Sequence, residues 1–231
     1  YVNQSLKKGK LGGCALFAYG GIALYSDSIL FLSSAGPDFF DYYGEYFKEN
    51  KISKQGIYET LPYTHHTLLT YEKDGSWHEE SLYGPNYFAK QEENNRTSLA
   101  KLKPFLSKET KGLYLDSGAH EKIFDEISAL RSIAPNMKIM WEPPTFSSKD
   151  PSMHDRILNN LNKVDYYSMN LDEASFFFKA KTRNQIINEI TKLNIPCFLR
   201  EGENGSSWIE DHKLVSLKAI ETEKAIDVTG C

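Results

Sequence analysis

The sequence has few cysteines, no excess of positive charge and no hydrophobic run long enough to cross a membrane. Its longest apolar stretches, such as Ile29–Leu32, fall far short of the roughly 20 residues that a membrane-spanning helix needs. Cys14, Cys197 and Cys231 lie far apart without C-x-x-C spacing, which disfavours a disulfide framework and a zinc site. A net charge of -4 offers no basic stripe for nucleic-acid phosphates. These absences favour a cytoplasmic protein that binds neither membranes nor nucleic acids.

The sequence also shows no sign of a secretory leader or of a metal site built from histidines. The first residues include neither an initiator Met nor an apolar leader core, and both ends look trimmed. The six histidines are scattered without the spacing of metal ligands. We therefore expect an intracellular chain that is truncated at both ends.

What the sequence does have is a regular alternation of apolar segments after residue 111. Short apolar runs predict strands at Gly112–Asp116, Lys138–Trp141, Asp165–Ser168 and Cys197–Arg200. Between them, apolar residues recur at helical spacing. With 231 residues and 40% hydrophobic content, the chain can bury a sizeable core. The pattern predicts one α/β domain over 1–231, with a mostly parallel sheet flanked by helices.

The first part of the chain has a different pattern. Residues 12–24 are apolar on nearly every face, which predicts a buried helix. Ser28–Ser33 predicts a short strand, and Phe39–Asn50 predicts a helix that ends in charged residues.

Two hairpins are predicted outside the parallel strands. Asp74-Gly75 is a two-residue turn signal within residues 66–83, and Asp211-His212 occupies the same place within Ser206–Leu217. The first hairpin is expected to form a small lid at about 63–85.

Five short motifs occur in a fixed order along the chain. They are Gly12-Gly13, Ala35-Gly36-Pro37-Asp38, Asn170-Leu171-Asp172-Glu173, Arg200-Glu201-Gly202-Glu203-Asn204-Gly205 and Asp227-Val228-Thr229-Gly230-Cys231. In open α/β sheets, ligands bind at the carboxyl ends of strands, where loops and helix N-termini present N–H groups. In this order the motifs resemble those of the pfkB family of carbohydrate kinases, from about Gly12 to the last residue.

The resemblance implies a fold, a reaction and two cofactors. The fold is a three-layer, ribokinase-like Rossmannoid domain with a small β-hairpin lid. The reaction transfers the γ-phosphoryl group of ATP to a hydroxyl of a sugar or nucleoside, with Mg²⁺ as the metal.

The resemblance also assigns roles to residues of this chain, which fall into four sets. The substrate-binding set is Gly12, Gly13, Phe17 and Asp38. The nucleotide and phosphate set is Asn170, Arg200, Gly202 and Gly205, and Glu173 would hold Mg²⁺ through water. The anion hole would contain Asp227, Thr229, Gly230 and Cys231. The family's catalytic Asp would stand two positions beyond Cys231, so no catalytic base is assigned and the chain as it stands is expected to be inactive.

Several of these positions have a purely structural alternative. Gly12-Gly13 can be a plain turn before a helix, and Asp38 can be an N-cap. Asn170 and Glu173 can form a capping box. The two glycines after the last parallel strand can be turn residues.

Some positions depart from the family pattern. Phe17 stands where the family has a sugar-binding Asn, and Asp41 stands where it has Gly. Trp141-Glu142-Pro143-Pro144 replaces a D-x-N-x-R strand end. With the hairpin aromatics Tyr71, Trp77 and Tyr83, this segment resembles a divergent branch that contains the fungal maintenance-of-killer proteins.

These departures support an alternative function, a non-catalytic kinase-like protein that serves in binding or as a scaffold. The hairpin is also a candidate surface for a homodimer. A dinucleotide-binding oxidoreductase is disfavoured, because no G-x-G-x-x-G follows a strand.

Overall fold

The chain separates between Arg96 and Thr97 into two compact units. The computed structural model describes residues 11–71 and 77–220. The described parts of the units are therefore 11–71 with 77–96, called the N-terminal unit, and 97–220, called the C-terminal unit. No described helix is both long and apolar enough to span a bilayer.

The N-terminal unit contains three helices and two small pairs of strands. The helices are α1 (Cys14–Ala23), α2 (Phe39–Glu49) and α3 (Tyr87–Asn95). The strands are β1 (Ser33–Ala35), β2 (Ile57–Glu59), β3 (Thr67–Tyr71) and β4 (Trp77–Ser81). β1 pairs with β2 in parallel, and β3 pairs with β4 in antiparallel register.

The predicted hairpin is confirmed by the pairing of β3 with β4, which runs from Thr67 opposite Ser81 to Tyr71 opposite Trp77. Its turn at Asp74-Gly75 lies outside the described residues.

Aromatic rings form the centre of the N-terminal unit. Phe47 packs edge to face against Phe31 and Phe39, with ring centroids 5.7 and 5.4 Å apart. All three side chains are buried together with Leu16 and Ile52. Edge-to-face contacts of this kind add to the free energy gained from burying the rings.

Two predictions for the start of the chain are wrong. The helix at 12–24 forms, but among its residues only Leu16 is buried by the described part of the protein. Its other large apolar side chains include Phe17, Ile22 and Leu24, which are exposed. The strand predicted at Ser28–Ser33 begins only at Ser33, whose pairing partner is Ile57. The residue before Ile57, Gly56, ends a 3-10 turn, so the parallel pairing does not extend further back along either segment.

The C-terminal unit is built on a six-stranded sheet in the order β10-β9-β8-β7-β6-β5. The strands are β5 (Gly112–Asp116), β6 (Lys138–Glu142), β7 (Tyr166–Asn170), β8 (Cys197–Arg200), β9 (Ser206–Glu210) and β10 (Lys213–Leu217). β5 to β8 are parallel, whereas β9 and β10 continue the sheet in antiparallel register.

The helices of the C-terminal unit alternate with the parallel strands. They are α4 (Leu99–Leu102), α5 (Ile123–Ile133), α6 (Thr145–Ser148), α7 (His154–Leu161), α8 (Leu171–Phe178) and α9 (Arg183–Leu193). Ile123, Ile127 and Leu130 of α5 are buried, as are Ile186 and Ile190 of α9. The predicted α/β class, with a mostly parallel sheet covered by helices, is confirmed.

The second predicted hairpin is also confirmed. β9 and β10 are joined by Asp211 and His212, whose φ angles are 47° and 61°. Positive φ at both central residues defines the turn type that matches the twist of a two-residue hairpin.

Candidate functional site

The last residues of three neighbouring parallel strands bring opposite charges together in the C-terminal unit. Glu142 ends β6, Asn170 ends β7 and Arg200 ends β8. Nη2 of Arg200 lies 2.5 Å from Oε1 of Glu142 and 3.5 Å from Oε2 of Glu173. The carboxyl ends of parallel strands meet at one edge of a sheet, so the pairing crosses β7. We call Glu142, Asn170, Glu173 and Arg200 the strand-end cluster.

Glu173 is the most enclosed member of the strand-end cluster, with only 3% of the residue exposed. Its Oε2 accepts a hydrogen bond from the Asn170 N–H, and the Asn170 Oδ1 accepts one from the Glu173 N–H, each at 2.8 Å. Its Oε1 accepts a hydrogen bond from Thr145 Oγ1 at 2.6 Å. The capping box that we considered as an alternative is therefore present at the start of α8. The proposed role of both residues at magnesium stays a prediction.

Glu142 is a residue of the cluster to which the sequence gave no site role. The Tyr114 hydroxyl donates a hydrogen bond to its Oε2, while its Oε1 faces Arg200. Burial raises the pKa of Tyr114, and the nearby Glu142 carboxylate raises it further, so the hydroxyl stays a protonated donor. The departure at Trp141-Glu142-Pro143 was the only sequence signal. It marked an unusual strand end without indicating a partner.

Trp141 is fully buried and anchors that strand end. Its Nε1 donates a hydrogen bond to the Ser117 carbonyl at 2.9 Å, and its ring lies 4.6 Å from that of Phe124. Pro144 then occupies the N-cap of α6. These contacts hold in place the backbone from which the Glu142 side chain projects.

The loop after β8 is a short 3-10 turn over Gly202–Asn204. Gly202 and Gly205 have φ angles of 58° and 97°, which favour glycine. A Cβ at Gly205 would lie 2.0 Å from the Leu217 carbonyl oxygen. The turn-glycine alternative is thus observed, and a role of these glycines at a nucleotide stays a prediction.

Glu201, in the same loop, has a buried carboxylate that ties the loop to its surroundings. Arg183 donates to both of its oxygens, and the Ser207 hydroxyl donates to Oε1. Hydrogen bonding from Arg183 lowers the pKa of Glu201, since it stabilises the charged form against burial. The loop is thereby held by α9 and β9.

The predicted substrate residues at the start of the chain lie in the N-terminal unit. The Gly13 carbonyl accepts hydrogen bonds from the Leu16 and Phe17 N–H groups, and the Gly12 carbonyl accepts one from the Tyr43 hydroxyl at 3.2 Å. Phe17 is 38% exposed. The glycines therefore begin α1 and join it to α2, as the turn alternative supposed.

Asp38 also lies in the N-terminal unit and occupies the N-cap position of α2, but its side chain makes no capping hydrogen bond. The simple N-cap alternative is wrong, because Oδ1 instead accepts the Thr64 N–H at 2.7 Å. Burial tends to raise the pKa of Asp38, but the hydrogen bonds from Thr64 outweigh it and lower the pKa below its ordinary value. The result is an ionised carboxylate that is pinned in place.

Gly36 permits that contact. A Cβ at this position would lie 2.3 Å from both the Thr64 nitrogen and the Tyr63 carbonyl carbon. The Gly36 N–H also bonds the Thr64 hydroxyl at 3.2 Å. The Gly-x-Asp motif therefore works as one unit in which the glycine makes room for the donor to the aspartate.

Tyrosine rings gather near Asp38. The Tyr63 and Tyr83 rings stack with centroids 5.3 Å apart, and Tyr83 and Tyr87 are 5.0 Å apart. These rings border a cavity of about 390 Å³. The negative charge of Asp38 contributes to a raised pKa at Tyr83 and Tyr87, after the larger effect of burial. Of the three hairpin aromatics named from the sequence, Tyr83 joins this cluster, while the side chains of Tyr71 and Trp77 lie outside the described part.

The predicted anion hole cannot be placed, because Asp227, Thr229, Gly230 and Cys231 lie outside the described residues. Within 11–71 and 77–220, no group of three His, Cys, Asp or Glu side chains could hold a metal ion.

A parallel sheet with a charged cluster at its carboxyl edge, extended by two antiparallel strands and accompanied by a separate small hairpin, defines a ribokinase-like α/β protein. Residues 9–231 match the model of the pfkB family of carbohydrate kinases. The chain belongs to this family. No curated protein matches it significantly.

Solved structures agree on the fold. The nucleoside kinase of Methanocaldococcus jannaschii, an archaeal member of the ribokinase family, has a TM-score of 0.58 and 16% identity over 85% of this chain. The Burkholderia thailandensis nucleoside kinase in complex with inosine has a TM-score of 0.69 and 14% identity over 94%. The Vibrio cholerae fructokinase with fructose, ADP and calcium has a TM-score of 0.66 and 13% identity over 91%.

This chain is shorter than those proteins. It covers 60% of the Methanocaldococcus chain, 67% of the Burkholderia chain and 70% of the Vibrio chain.

Proposed function

We propose that the protein is an ATP-dependent kinase that phosphorylates a hydroxyl of a sugar or nucleoside. The observation that carries this proposal is the strand-end cluster, where Arg200, Glu142 and Glu173 meet at the carboxyl edge of the parallel sheet. Fold neighbours that bind inosine, or fructose with ADP, support the substrate class and the use of a nucleotide.

The residues of the cluster fit a magnesium nucleotide. Arg200 offers a guanidinium, and its buried Nε–H has no acceptor among the described residues. Guanidinium groups bind phosphate oxygens with two N–H donors at once. The Glu173 carboxylate already accepts protein hydrogen bonds on both oxygens, which suits an ion that keeps most of its own water.

In this proposal each residue has a defined task. Arg200 binds phosphate oxygens, and Asn170 and Glu173 orient the water shell of the metal. When bound, the magnesium nucleotide supplies the transferred phosphoryl group and neutralises its charge. In the N-terminal unit, the ionised Asp38 accepts hydrogen bonds from substrate hydroxyls, and the tyrosines beside it provide flat surfaces for a sugar ring or a base.

The aromatic strand end at Trp141-Glu142-Pro143 leads us to place the chain in the divergent branch that includes the maintenance-of-killer proteins. The substrate of such a member need not be a simple sugar. Phe17, at the family's sugar-binding Asn position, supports the same view.

A coupled assay of ADP release by the full-length protein tests the proposal. It should be run with ATP, Mg²⁺ and a panel of sugars and nucleosides, beside Asp38→Asn. We expect release that depends on one substrate class and falls at least about tenfold in the variant, because a charged acceptor of hydrogen bonds is lost. Substrate-independent background with every compound, in a folded protein, would favour the scaffold alternative.

A further inference from the structure

The nitrogens of the Arg200 guanidinium differ in how many acceptors they contact in the strand-end cluster. Both carboxylates, Glu142 and Glu173, approach the same nitrogen, Nη2. The Nε–H is buried and has no acceptor within the described residues. The side chain as a whole is 33% exposed, so part of the guanidinium is within reach of an acceptor that approaches from solvent. The guanidinium is therefore held but not saturated.

The two carboxylates hold Arg200 in different ways. Glu173 lies at 3.5 Å, is almost fully buried and is committed to Thr145 and to the N-terminus of α8. Glu142 lies at 2.5 Å, is 20% exposed and has a single other partner among the described residues, the Tyr114 hydroxyl. Glu142 is thus the stronger ion-pair partner of Arg200, and its side chain is the less constrained of the two.

We propose that Glu142 is an internal competitor for the polyphosphate at Arg200, and so sets how tightly the protein holds a nucleotide. The inference rests on the proposed function, since it concerns the same site. A phosphate group that binds Arg200 needs the guanidinium edge to which the Glu142 carboxylate is bonded. The two anions also repel each other at short range in a partly buried site, where charges are poorly screened. Binding therefore requires Glu142 to give up its ion pair.

The competition predicts an unusual result, a gain of affinity when a binding-site residue is altered. Glu142→Gln keeps the shape of the side chain and an acceptor for Tyr114, but removes the charge. We expect tripolyphosphate and ATP to bind the variant about threefold more tightly or better, because Arg200 no longer has to leave the closer of its two charged partners. Arg200→Met should weaken both ligands by about tenfold or more.

Isothermal titration calorimetry on the full-length protein measures these affinities, with tripolyphosphate in EDTA and with ATP in Mg²⁺. The double variant Glu142→Gln/Arg200→Met should bind no better than Arg200→Met, since the gain acts through the arginine. Glu189→Gln on α9 is the matched control. It removes one exposed carboxylate that pairs with Lys192 and should leave both affinities unchanged.

The outcomes separate the two proposals. If the wild type binds ATP and Glu142→Gln binds no more tightly, the competitor is disproved and the kinase proposal stands. If neither protein binds ATP or tripolyphosphate, both are disproved. Should Glu142→Gln fail to fold, the side-chain carboxyl ¹³C resonance of Glu142 in the wild type, assigned with Glu142→Asp, serves instead, because this carboxylate has to leave Arg200 when tripolyphosphate binds. It should shift as tripolyphosphate is added, and an unmoved signal at saturation overturns the inference.

Discussion

At the scale of single residues, Glu173 combines a structural contact with a proposed metal contact. It caps α8 through the Asn170 N–H and also lies beside Arg200. We expect Glu173→Gln to lower the free energy of unfolding by about 1 kcal/mol, since the amide is a weaker cap. The Mg²⁺ concentration needed for half-maximal ATP binding should rise several-fold, because the carboxylate no longer attracts the hydrated ion.

Urea denaturation and a Mg²⁺ titration at fixed ATP measure the two effects. The chain supplies a matched control in its second capping box, formed by Thr182 and Gln185 at the start of α9. Thr182→Ala should cost a similar free energy of unfolding without changing the Mg²⁺ requirement. Equal Mg²⁺ curves for both variants would show that Glu173 only caps its helix.

The sequence alone predicted some of the site residues but not which residues contact one another. The motif at 170–173 and Arg200 were named in advance, and the structure brings them together. Glu142, Thr145 and Tyr114 were given no site role, because their contacts depend on strand register and on side chains from different segments. Asp38 was named, but its partner Thr64 lies 26 positions away, beyond the reach of any local pattern.

At the scale of elements, the link between α9 and the β8–β9 loop depends on one buried charge. The Glu201 side chain is 3% exposed, whereas that of its partner Arg183 is 39% exposed. Removing the arginine leaves a buried carboxylate without its cation, whereas removing the carboxylate leaves an arginine that water can solvate. We therefore expect Arg183→Met to lower the free energy of unfolding by about 3 kcal/mol and Glu201→Gln by about half of that.

Chemical denaturation of the two single variants and of the double variant checks this order. The double variant should be more stable than Arg183→Met, since it no longer buries an unpaired charge. The reverse order, with Glu201→Gln the more damaging, would mean that the carboxylate contributes mainly through its bond to Ser207.

Elements with strong periodicity were predicted well, and the others were not. The strands β5 to β8 match their predictions to within two residues, because buried parallel strands are short apolar runs. The polar helix α3 was not predicted. Its Asn94 carbonyl accepts hydrogen bonds from the Ser34 and Thr60 hydroxyls, contacts that leave no periodic signal in the sequence.

At the scale of the whole molecule, acid should weaken the fold before most carboxylates titrate. Burial lowers the pKa of His65 to about 4, and the neighbouring His66 adds to the effect. An unfolded histidine has a pKa near 6.5. Between these values the unfolded chain binds a proton that the folded chain does not, so stability falls as the pH drops. Because His65 is only half-buried, we expect a loss of about 1 kcal/mol from pH 7 to pH 5.

Urea denaturation of the wild type and of His65→Gln at the two pH values measures this loss. The variant should lose less stability than the wild type between the two pH values. The lowered pKa values of Asp38 and Glu201 affect stability in a more acidic pH range. The stability that they contribute is present above pH 4 to 4.5 and is lost below it. An identical pH response of the wild type and His65→Gln would disprove the assignment.

The close passage of the Tyr63–Thr64 backbone over Gly36 bears on how this family can diverge. Even the smallest side chain at position 36 would occupy the space of the Thr64 amide that holds Asp38. Pro37, one residue later, is exposed and meets no such limit. Under selection for function, positions 36 and 37 should therefore differ in how readily they accept substitutions. Position 37 can drift through many residue types, whereas position 36 can change only in a lineage that also rebuilds the segment around Thr64.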